Sequence, residues 1–209
     1  MQTTTETERY LKSCATAFWQ QVFDAELKYL LQHLQPKDEI LSVGCGPAIM
    51  ERRLTEQGFL VVGLDVSREA LACAGDAIRA VAAPAEEMPF LDNSFDVVLY
   101  IASLQFIDDY RAALQRTAEV LRPGGRLIAL LLNPASNFFR ERYANSESYV
   151  HKLKHTDLAV IEEIASKWFE TSGEYYLGID GDRLFESSDP AEAALYIVHG
   201  RGRQLNQVL

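Results

Sequence analysis

The segment VGCGPA, residues 43 to 48, contains residue types suited to a ligand-binding turn. It joins the apolar run EILSVG at 39 to 44 to a helical pattern, so Gly44 and Gly46 lie where a strand passes into a helix. Glycine allows a sharp backbone turn and lets a ligand approach the helix N-terminus. Asp65 ends the next apolar run, roughly 20 residues later, where a carboxylate can accept hydrogen bonds from both ribose hydroxyls of a nucleoside. Together these residues predict a nucleoside cofactor site.

A dinucleotide cofactor requires a third glycine, which this turn does not have. In the pattern GxGxxG the last glycine allows close packing of the helix beside a pyrophosphate. The residue three positions after Gly46 is Ile49. The sequence therefore disfavours an oxidoreductase that uses NAD.

Alternating strands and helices must position this turn. Apolar, β-branched runs predict seven strands, at 39–44, 59–65, 79–83, 95–100, 126–132, 174–179 and 193–200. Helical patterns lie between them, from about 48 to 57, from 67, from 109 to 121 and from 156. This alternation predicts a doubly wound α/β fold with a mostly parallel sheet. The last two strands are expected to pair antiparallel at the sheet edge, so the final strand is antiparallel.

A chain of 209 residues has the length of one domain. We expect a helical cap at 1–36, where Thr5 and Glu8 form a capping-box pattern, and a cofactor-binding core at 37–133. We expect an insertion at 134–155 that lies over the sheet edge. With the helix after it, this insertion is expected to form a substrate lid at 134–166. The C-terminal strands are expected at 167–209. The acceptor pocket should lie between cap and insertion, because segments outside a common core usually set specificity. Four aromatic residues are expected on the inner face of the cap: Tyr10, Phe18, Trp19 and Phe23.

Composition excludes several classes of protein. Twenty basic and thirty acidic side chains give a net charge of −10, which opposes binding to nucleic acid or anionic lipid. The cysteines Cys14, Cys45 and Cys73 form no CxxC pair, so neither a disulfide framework nor a zinc site of the usual spacing is expected. No secretion signal and no apolar run of the ~20 residues that span a bilayer are visible. These features favour a cytoplasmic protein without a membrane span.

The order of motifs resembles that of the class I S-adenosylmethionine-dependent methyltransferases. After the glycine turn and the acid-ended strand come AEEMPF, FDVVLYIASLQF and VLRPGGRL. The similarity is to the small-molecule branch, which includes the quinone C-methyltransferases, and it is close over residues 39 to 133. It implies a Rossmann-like fold and transfer of a methyl group from S-adenosylmethionine to a small-molecule acceptor, with S-adenosylhomocysteine as product.

The resemblance also implies a role for individual residues. The turn would pass under the methionine part of the cofactor, Asp65 would hold the ribose, and Val66 would lie beside the adenine. Ala85 and Glu86 would flank the adenine, and the end of the fourth strand would supply backbone contacts. The implied cofactor-binding set is Ser42, Gly44, Cys45, Gly46, Asp65, Val66, Ala85, Glu86, Tyr100 and Ile101.

Two positions depart from the family pattern. Ser42 stands where many members have an acid that serves the cofactor amino group, and Pro84 stands where many have an aspartate that accepts from the adenine amino group. Each change removes a charged acceptor, although Ser42 and the backbone amide of Ala85 can still form hydrogen bonds. The departures keep a second hypothesis open: a sensor or subunit that binds S-adenosylmethionine without catalysis.

The chemistry needs few catalytic groups. A methyl sulfonium is already an electrophile, so the protein mainly aligns donor and nucleophile and excludes water. A general base helps only if the acceptor carries a proton. The candidates are His151, His155, Tyr143, Tyr149, Gln105 and Asp108. His151 and His155 lack a third ligand in sequence, so no metal is expected. The acceptor and its reacting atom, and the oligomeric state, stay open.

Overall fold

The computed structural model describes residues 5–203, which form an α/β structure around one eight-stranded sheet. The strands run in the order β3-β2-β1-β4-β5-β8-β6-β7. Their bounds are β1 Glu39–Val43, β2 Leu60–Asp65, β3 Arg79–Ala82, β4 Phe95–Ile101, β5 Leu121–Leu132, β6 Phe169–Asp180, β7 Arg183–Phe185 and β8 Ala193–Gly202.

The predicted doubly wound, mostly parallel sheet is confirmed. Strands β1 to β5 pair in parallel, whereas β8 pairs antiparallel with both β5 and β6. The prediction of seven strands was wrong by one, because the GIDGD turn closes a hairpin with the short strand β7. The last two predicted strands do pair, but β8 lies inside the sheet and β7 forms the edge.

Helices cover both faces of the sheet. Their bounds are α1 Glu6–Cys14, α2 Ala17–His33, α3 Ile49–Glu56, α4 Arg68–Ala74, α5 Tyr110–Val120, α6 Asn137–Tyr143 and α7 Leu158–Ala165. Helices α2, α3 and α6 pack on one face, against β1 residues such as Ile40, and α5 and α7 pack on the other, against residues such as Leu41. Neighbouring side chains of a strand point to opposite faces of the sheet. Ile40 and Leu41 are both fully buried, because helices cover each face.

Local signals set the helix ends. Thr5 and Glu8 form the predicted capping box at α1, and the side chain of Asp109 caps α5 by accepting from Ala112. Helix α7 is shorter than predicted, because the chain after Ala165 turns so that Phe169 can enter β6 as a fully buried residue. Burial of this aromatic side chain in the sheet outweighs continuation of the helix.

The insertion contains α6 and a 3₁₀ turn at Tyr149–Lys152, and α6 packs on β6 and β8. Cys14, Cys45 and Cys73 are free thiols. Within the described residues, no helix combines the length and apolar character that a bilayer crossing needs.

Candidate functional site

A cleft of about 450 Å³ opens where β1, β2 and β4 end. Parallel strands of a doubly wound sheet bind ligands at these carboxyl ends. The cleft is lined by Val43, Gly44, Leu64, Asp65, Val66, Ala83, Pro84, Ala85, Glu86, Ala102, Ser103, Phe106, Ile107, Asp108 and Lys154.

The glycine turn forms one wall of the cleft and has little steric freedom. Gly44 has φ of +72°, and a Cβ built on it would lie 2.5 Å from Cβ of Ser103. The backbone amides of Gly44 and Cys45 both donate to the carbonyl of Leu64, at 2.7 and 3.1 Å. The turn is therefore held against β2, and only glycine fits at position 44.

Asp65 connects the glycine turn to the next loop. One carboxylate oxygen accepts from the amide of Gly46 at 2.8 Å, and the other accepts from the amide of Ser67 at 2.7 Å. The side chain is half-buried and lines the cleft. A carboxylate oxygen has more than one lone pair, so Asp65 can hold the turn and still accept from a ligand.

The structure brings five of the ten predicted cofactor residues to the cleft. They are Gly44, Asp65, Val66, Ala85 and Glu86. Val66 is 75% exposed beside the Ala83–Glu86 stretch, an apolar surface available to a flat ring. Pro84 also lines this wall, without a carboxylate.

The other five predicted residues do not line the cleft. Ser42 and Cys45 are buried, and Gly46 and Ile101 are half-buried. The thiol of Cys45 packs against Gly63, and burial raises its pKa, which supports a structural role for this residue. The hydroxyl of Tyr100 lies 2.7 Å from Oγ1 of Thr117, on the sheet face that α5 and α7 cover. At the end of β4, Ala102 and Ser103 line the cleft instead.

Glu51 is a carboxylate beside the glycine turn that the sequence analysis missed. It is 3% exposed in the first turn of α3, and its Oε1 accepts from the hydroxyl of Ser42 at 2.5 Å. Burial raises the pKa of Glu51 to about 7, a change that the Ser42 hydrogen bond opposes. Where the family pattern has an acid at position 42, this chain has a serine bonded to an acid on the following helix. An acidic residue on the buried face of α3 was the available signal.

Glu26 is a second buried acid that the sequence analysis missed. It lies on α2 and is 5% exposed, and its Oε2 has no hydrogen-bond partner among the described residues. Burial raises its pKa to about 8, with a further increase from Glu51 and a decrease from Arg53. A buried carboxyl without a full set of partners is destabilising, so its presence suggests a role in binding.

The candidate general bases are dispersed. Gln105 is fully buried, and its side-chain amide bonds with both backbone groups of Leu132 and with the carbonyl of His155. His155 lies near the mouth of the cleft, with Nε2 2.9 Å from the carbonyl of Ile107. Asp108, also at the mouth, forms an ion pair of 2.6 Å with Lys154.

Two further candidates, His151 and Tyr143, form an exposed pair that does not line the cleft. Their ring centroids are 4.4 Å apart, and Nε2 of His151 lies 3.0 Å from the carbonyl of Asn145. These interactions occur within the insertion and bring neither residue to the cleft.

Aromatic side chains join the cap to the insertion. We call Phe18, Trp19, Phe23, Phe138 and Tyr149 the cap–insertion cluster. The ring of Trp19 is 5.3 Å from Phe18, 6.1 Å from Phe23, 6.3 Å from Phe138 and 6.4 Å from Tyr149. The guanidinium of Arg142 covers three of these rings, at 4.9 to 5.6 Å. Phe106 and Ala102, which line the cleft, pack against the same large hydrophobic core as these rings.

A comparison with known protein families finds a match for the part of the chain that forms most of the cleft. Residues 41–129 match the family model of a methyltransferase domain. This segment is similar to a methyltransferase domain. It contains the glycine turn, Asp65, the Ala85–Glu86 pair and the end of β4.

The curated relatives support the same assignment over part of their length. A demethylmenaquinone methyltransferase of Corynebacterium glutamicum is 37% identical over 95 residues, which cover 45% of this chain and 41% of the relative. The O-methyltransferase resE of Aspergillus sclerotiorum is 42% identical over 98 residues, which cover 42% of this chain and 37% of the relative. The matched region thus spans less than half the length of either relative.

One solved structure matches nearly the whole fold of this methyltransferase domain and its flanking segments. A SAM-dependent methyltransferase of Thermotoga maritima has a TM-score of 0.79 and 20% identity, over 95% of this chain and 96% of the other. The predicted resemblance of the core to methyltransferases is confirmed over residues 41–129, and the predicted fold is confirmed over nearly the whole chain. A phosphoethanolamine N-methyltransferase of Haemonchus contortus, 25% identical over 72% of this chain and 38% of the other, with a TM-score of 0.59, was solved in complex with S-adenosylhomocysteine.

Proposed function

We propose that the chain transfers a methyl group from S-adenosylmethionine to a small-molecule acceptor and releases S-adenosylhomocysteine. The observation that carries this proposal is the convergence of Gly44, Asp65 and the Ala85–Glu86 pair on one cleft within the methyltransferase domain. The segments that bear them are adjacent only because β3, β2 and β1 are neighbouring parallel strands that end at the same edge of the sheet.

The residues present fit the cofactor. The cleft volume lies within the usual range of small-molecule sites, ~300–1,000 Å³. Gly44 and Gly46 would hold the methionine part, Asp65 the ribose, and Val66 with the Ala85–Glu86 pair the adenine. Ser42, Cys45, Tyr100 and Ile101 would support these contacts from beneath the cleft or through backbone groups. When bound, the cofactor supplies a methyl sulfonium, an electrophile.

The residue that serves the cofactor amino group is proposed to be Glu51. It supplies the carboxylate that position 42 lacks, and Ser42 orients it through a hydrogen bond of 2.5 Å. A cationic ligand group would stabilise the ionised form and bring the raised pKa of Glu51 back down.

The acceptor is proposed to bind between the cap, residues 1–36, and the lid, residues 134–166, beside the core at 37–133. The cap–insertion cluster supports an acceptor with a flat, apolar body, because aromatic side chains stack on such surfaces. If the acceptor carries a proton, the ionised form of Glu26 is the preferred base, since its Oε2 has no hydrogen-bond partner among residues 5–203 and it lies on the cap helix α2.

Calorimetric titration with S-adenosylmethionine and S-adenosylhomocysteine, with NAD as the control, tests the cofactor. We expect both sulfur nucleosides to bind and NAD not to bind. Absence of binding by the sulfur nucleosides would overturn the proposed function. Their binding justifies a screen of acceptors, including demethylmenaquinone because one relative is named for it.

A second candidate function is a module that binds S-adenosylmethionine without transferring its methyl group. The contacts within the cap–insertion cluster favour it, since this chain's own rings occupy the region proposed for the acceptor. The acceptor screen separates the two candidates: cofactor binding without release of S-adenosylhomocysteine supports the module, and turnover supports the enzyme.

A further inference from the structure

Three side chains with metal-ligating atoms meet on the sheet face that α2 covers. His33 comes from the last residue of α2, Glu174 from β6 and His199 from β8. One ligand atom from each lies within 4.8 Å of the other two. None of the three residues lines the cofactor cleft. They are far apart in sequence, so only the pairing of β6 with β8 and the packing of α2 bring them together.

The ring of His33 is oriented by its own helix. Its Nδ1 lies 2.9 Å from the backbone carbonyl of Tyr29, and its ring stacks on that tyrosine at 4.3 Å. A carbonyl can only accept, so Nδ1 carries the proton and Nε2 keeps a free lone pair. A histidine whose other nitrogen donates to a carbonyl is the usual arrangement of a metal ligand.

His199 completes a pair of imidazoles. Its ring centroid is 4.8 Å from that of His33, and its Nε2 is 2.6 Å from the hydroxyl of Tyr29 and 3.5 Å from Oε1 of Glu174.

The surroundings allow a cation to enter. The side chain of Glu174 is 52% exposed, and that of His199 is 25% exposed, so the cluster opens to solvent. Arg126 donates to the carbonyl of His33, but its charge is balanced by Asp38 at 2.5 Å. The carboxylate of Glu174 supplies a negative charge that a divalent ion would neutralise.

We propose that His33, Glu174 and His199 form a binding site for a divalent transition metal, preferentially Zn²⁺. Two nitrogen ligands and one oxygen ligand are a common zinc set, with water at the fourth position. The hydroxyl of Tyr29 hydrogen-bonds with Oε1 of Glu174 and Nε2 of His199. These two hydrogen bonds would break when the same two atoms bind the ion. The ion would join the cap helix α2 to the C-terminal strands β6 and β8. This proposal does not depend on the proposed methyl transfer.

Titration of the full chain, purified without a polyhistidine tag, with Co²⁺ and then Zn²⁺ tests the site. We expect one Co²⁺ per chain with a visible absorption spectrum of a four-coordinate ion, and its displacement by Zn²⁺. His33→Gln and His199→Gln should each weaken binding by at least about ten-fold. His151→Gln is the matched control, because His151 is an exposed histidine whose ring stacks on Tyr143 instead.

Several results would overturn the site: wild-type protein that binds neither ion, binding unaffected by His33→Gln, or an equal loss in His151→Gln. Circular dichroism shows whether each variant folds. If His199→Gln does not fold, His33→Gln decides alone, since this half-buried residue at the end of α2 is replaced without changing a strand. A rise in the unfolding temperature with Zn²⁺ in wild type, absent in His33→Gln, is expected because the ion binds the folded state.

Discussion

The region proposed to bind the methyl donor and the region proposed to bind the acceptor, here called the donor side and the acceptor side, are built by different means. On the donor side, backbone amides of the glycine turn bond to Leu64 and Asp65 over 2.7 to 3.1 Å. On the acceptor side, rings of the cap lie 6.0 to 6.4 Å, centroid to centroid, from rings of the insertion. Directional bonds between short motifs therefore define the cofactor cleft, whereas packing between distant segments defines the region proposed for the acceptor.

The buried acids show the same difference. Glu51, on the donor side, has a hydrogen-bond donor in Ser42. Glu26, on the cap, has a carboxylate oxygen without a partner among the described residues. The donor side has its own hydrogen-bond partners in place, and the acceptor side holds a group that a ligand would satisfy.

The largest expected effect comes from Gly44→Ala. The new Cβ would lie 2.5 Å from Cβ of Ser103, at a backbone φ of +72°. We expect a loss of roughly 3 kcal/mol in the free energy of unfolding, from left-handed strain and overpacking, together with loss of cofactor binding. Urea unfolding and calorimetry measure both effects.

Gly46→Ala is the matched control for that variant. Its φ is +52°, but a Cβ there meets nothing within 4 Å, so only the conformational cost of about 1 kcal/mol is expected. Ser103→Gly in the Gly44→Ala background should recover part of the loss. Equal effects in the two alanine variants would contradict the close contact with Ser103.

The second prediction removes the carboxylate of Asp65 from the cofactor cleft. Asp65→Ala should weaken S-adenosylmethionine binding by about 10- to 100-fold, because a charge-assisted hydrogen bond contributes roughly 1.5–3 kcal/mol. Calorimetric titration measures the change. Asp182→Ala, an exposed residue of the β6–β7 turn, removes the same charge and should leave the affinity unchanged. Unchanged affinity in Asp65→Ala would refute its place at the ribose.

The third prediction concerns the free carboxyl of the cap. The pKa of Glu26 rises from 4.5 to about 8 on folding, so the folded state holds a proton that the unfolded chain has lost. Wild-type stability should therefore fall relative to Glu26→Gln as pH rises from 4.5 to 8, and level off above. We expect the variant to be more stable at pH 8 by roughly 1–3 kcal/mol.

Urea unfolding of both proteins at several pH values measures this difference. Glu163→Gln, at an exposed position on α7, should show no such trend. A variant that is less stable than wild type at pH 8 would mean that Glu26 has a structural role. If Glu26 also serves the acceptor, the more stable variant should lose turnover while still binding S-adenosylmethionine.

The smallest effect is expected for Trp19→Ala, which opens the cap–insertion cluster. The KM of any acceptor found by screening should rise by about ten-fold, since one pocket side chain contributes roughly 1–3 kcal/mol to selectivity. The Kd of S-adenosylmethionine should change by less than about two-fold, because additivity holds for distant sites. Trp168→Ala, on the opposite face, is the control for loss of a tryptophan. If Trp19→Ala weakens cofactor binding and acceptor binding equally, the two sides are not separate binding regions.

Much of the fold was predictable because its signals are local. The glycine turn, Asp65 at the end of β2 and Asp109 as the cap of α5 each depend on a few adjacent residues. Strand β7 escaped prediction because a run of three residues, Arg183–Phe185, has too little periodicity to register. The early end of α7 escaped for another reason: the core needs Phe169 in a strand.

The candidate site was predictable only where a residue belongs to the motif. Gly44, Asp65 and Glu86 could be placed from spacing and resemblance, and they do line the cleft. Ser103 and Lys154 line it too, yet they reach it from the loop after β4 and from the end of the insertion. No spacing rule connects these segments.

The sequence by itself determined the alternation of strands and helices, the glycine turn and the acid that follows the second strand. Periodicity and turn chemistry act over a few residues, so the order along the chain is enough to specify them. Only the tertiary structure decided that Ser42 hydrogen-bonds with Glu51, that Oε2 of Glu26 has no hydrogen-bond partner within the described part of the chain, and that His33 meets His199. These relations depend on which side chains packing brings together and removes from water, and burial, pKa and ligand geometry follow from that packing.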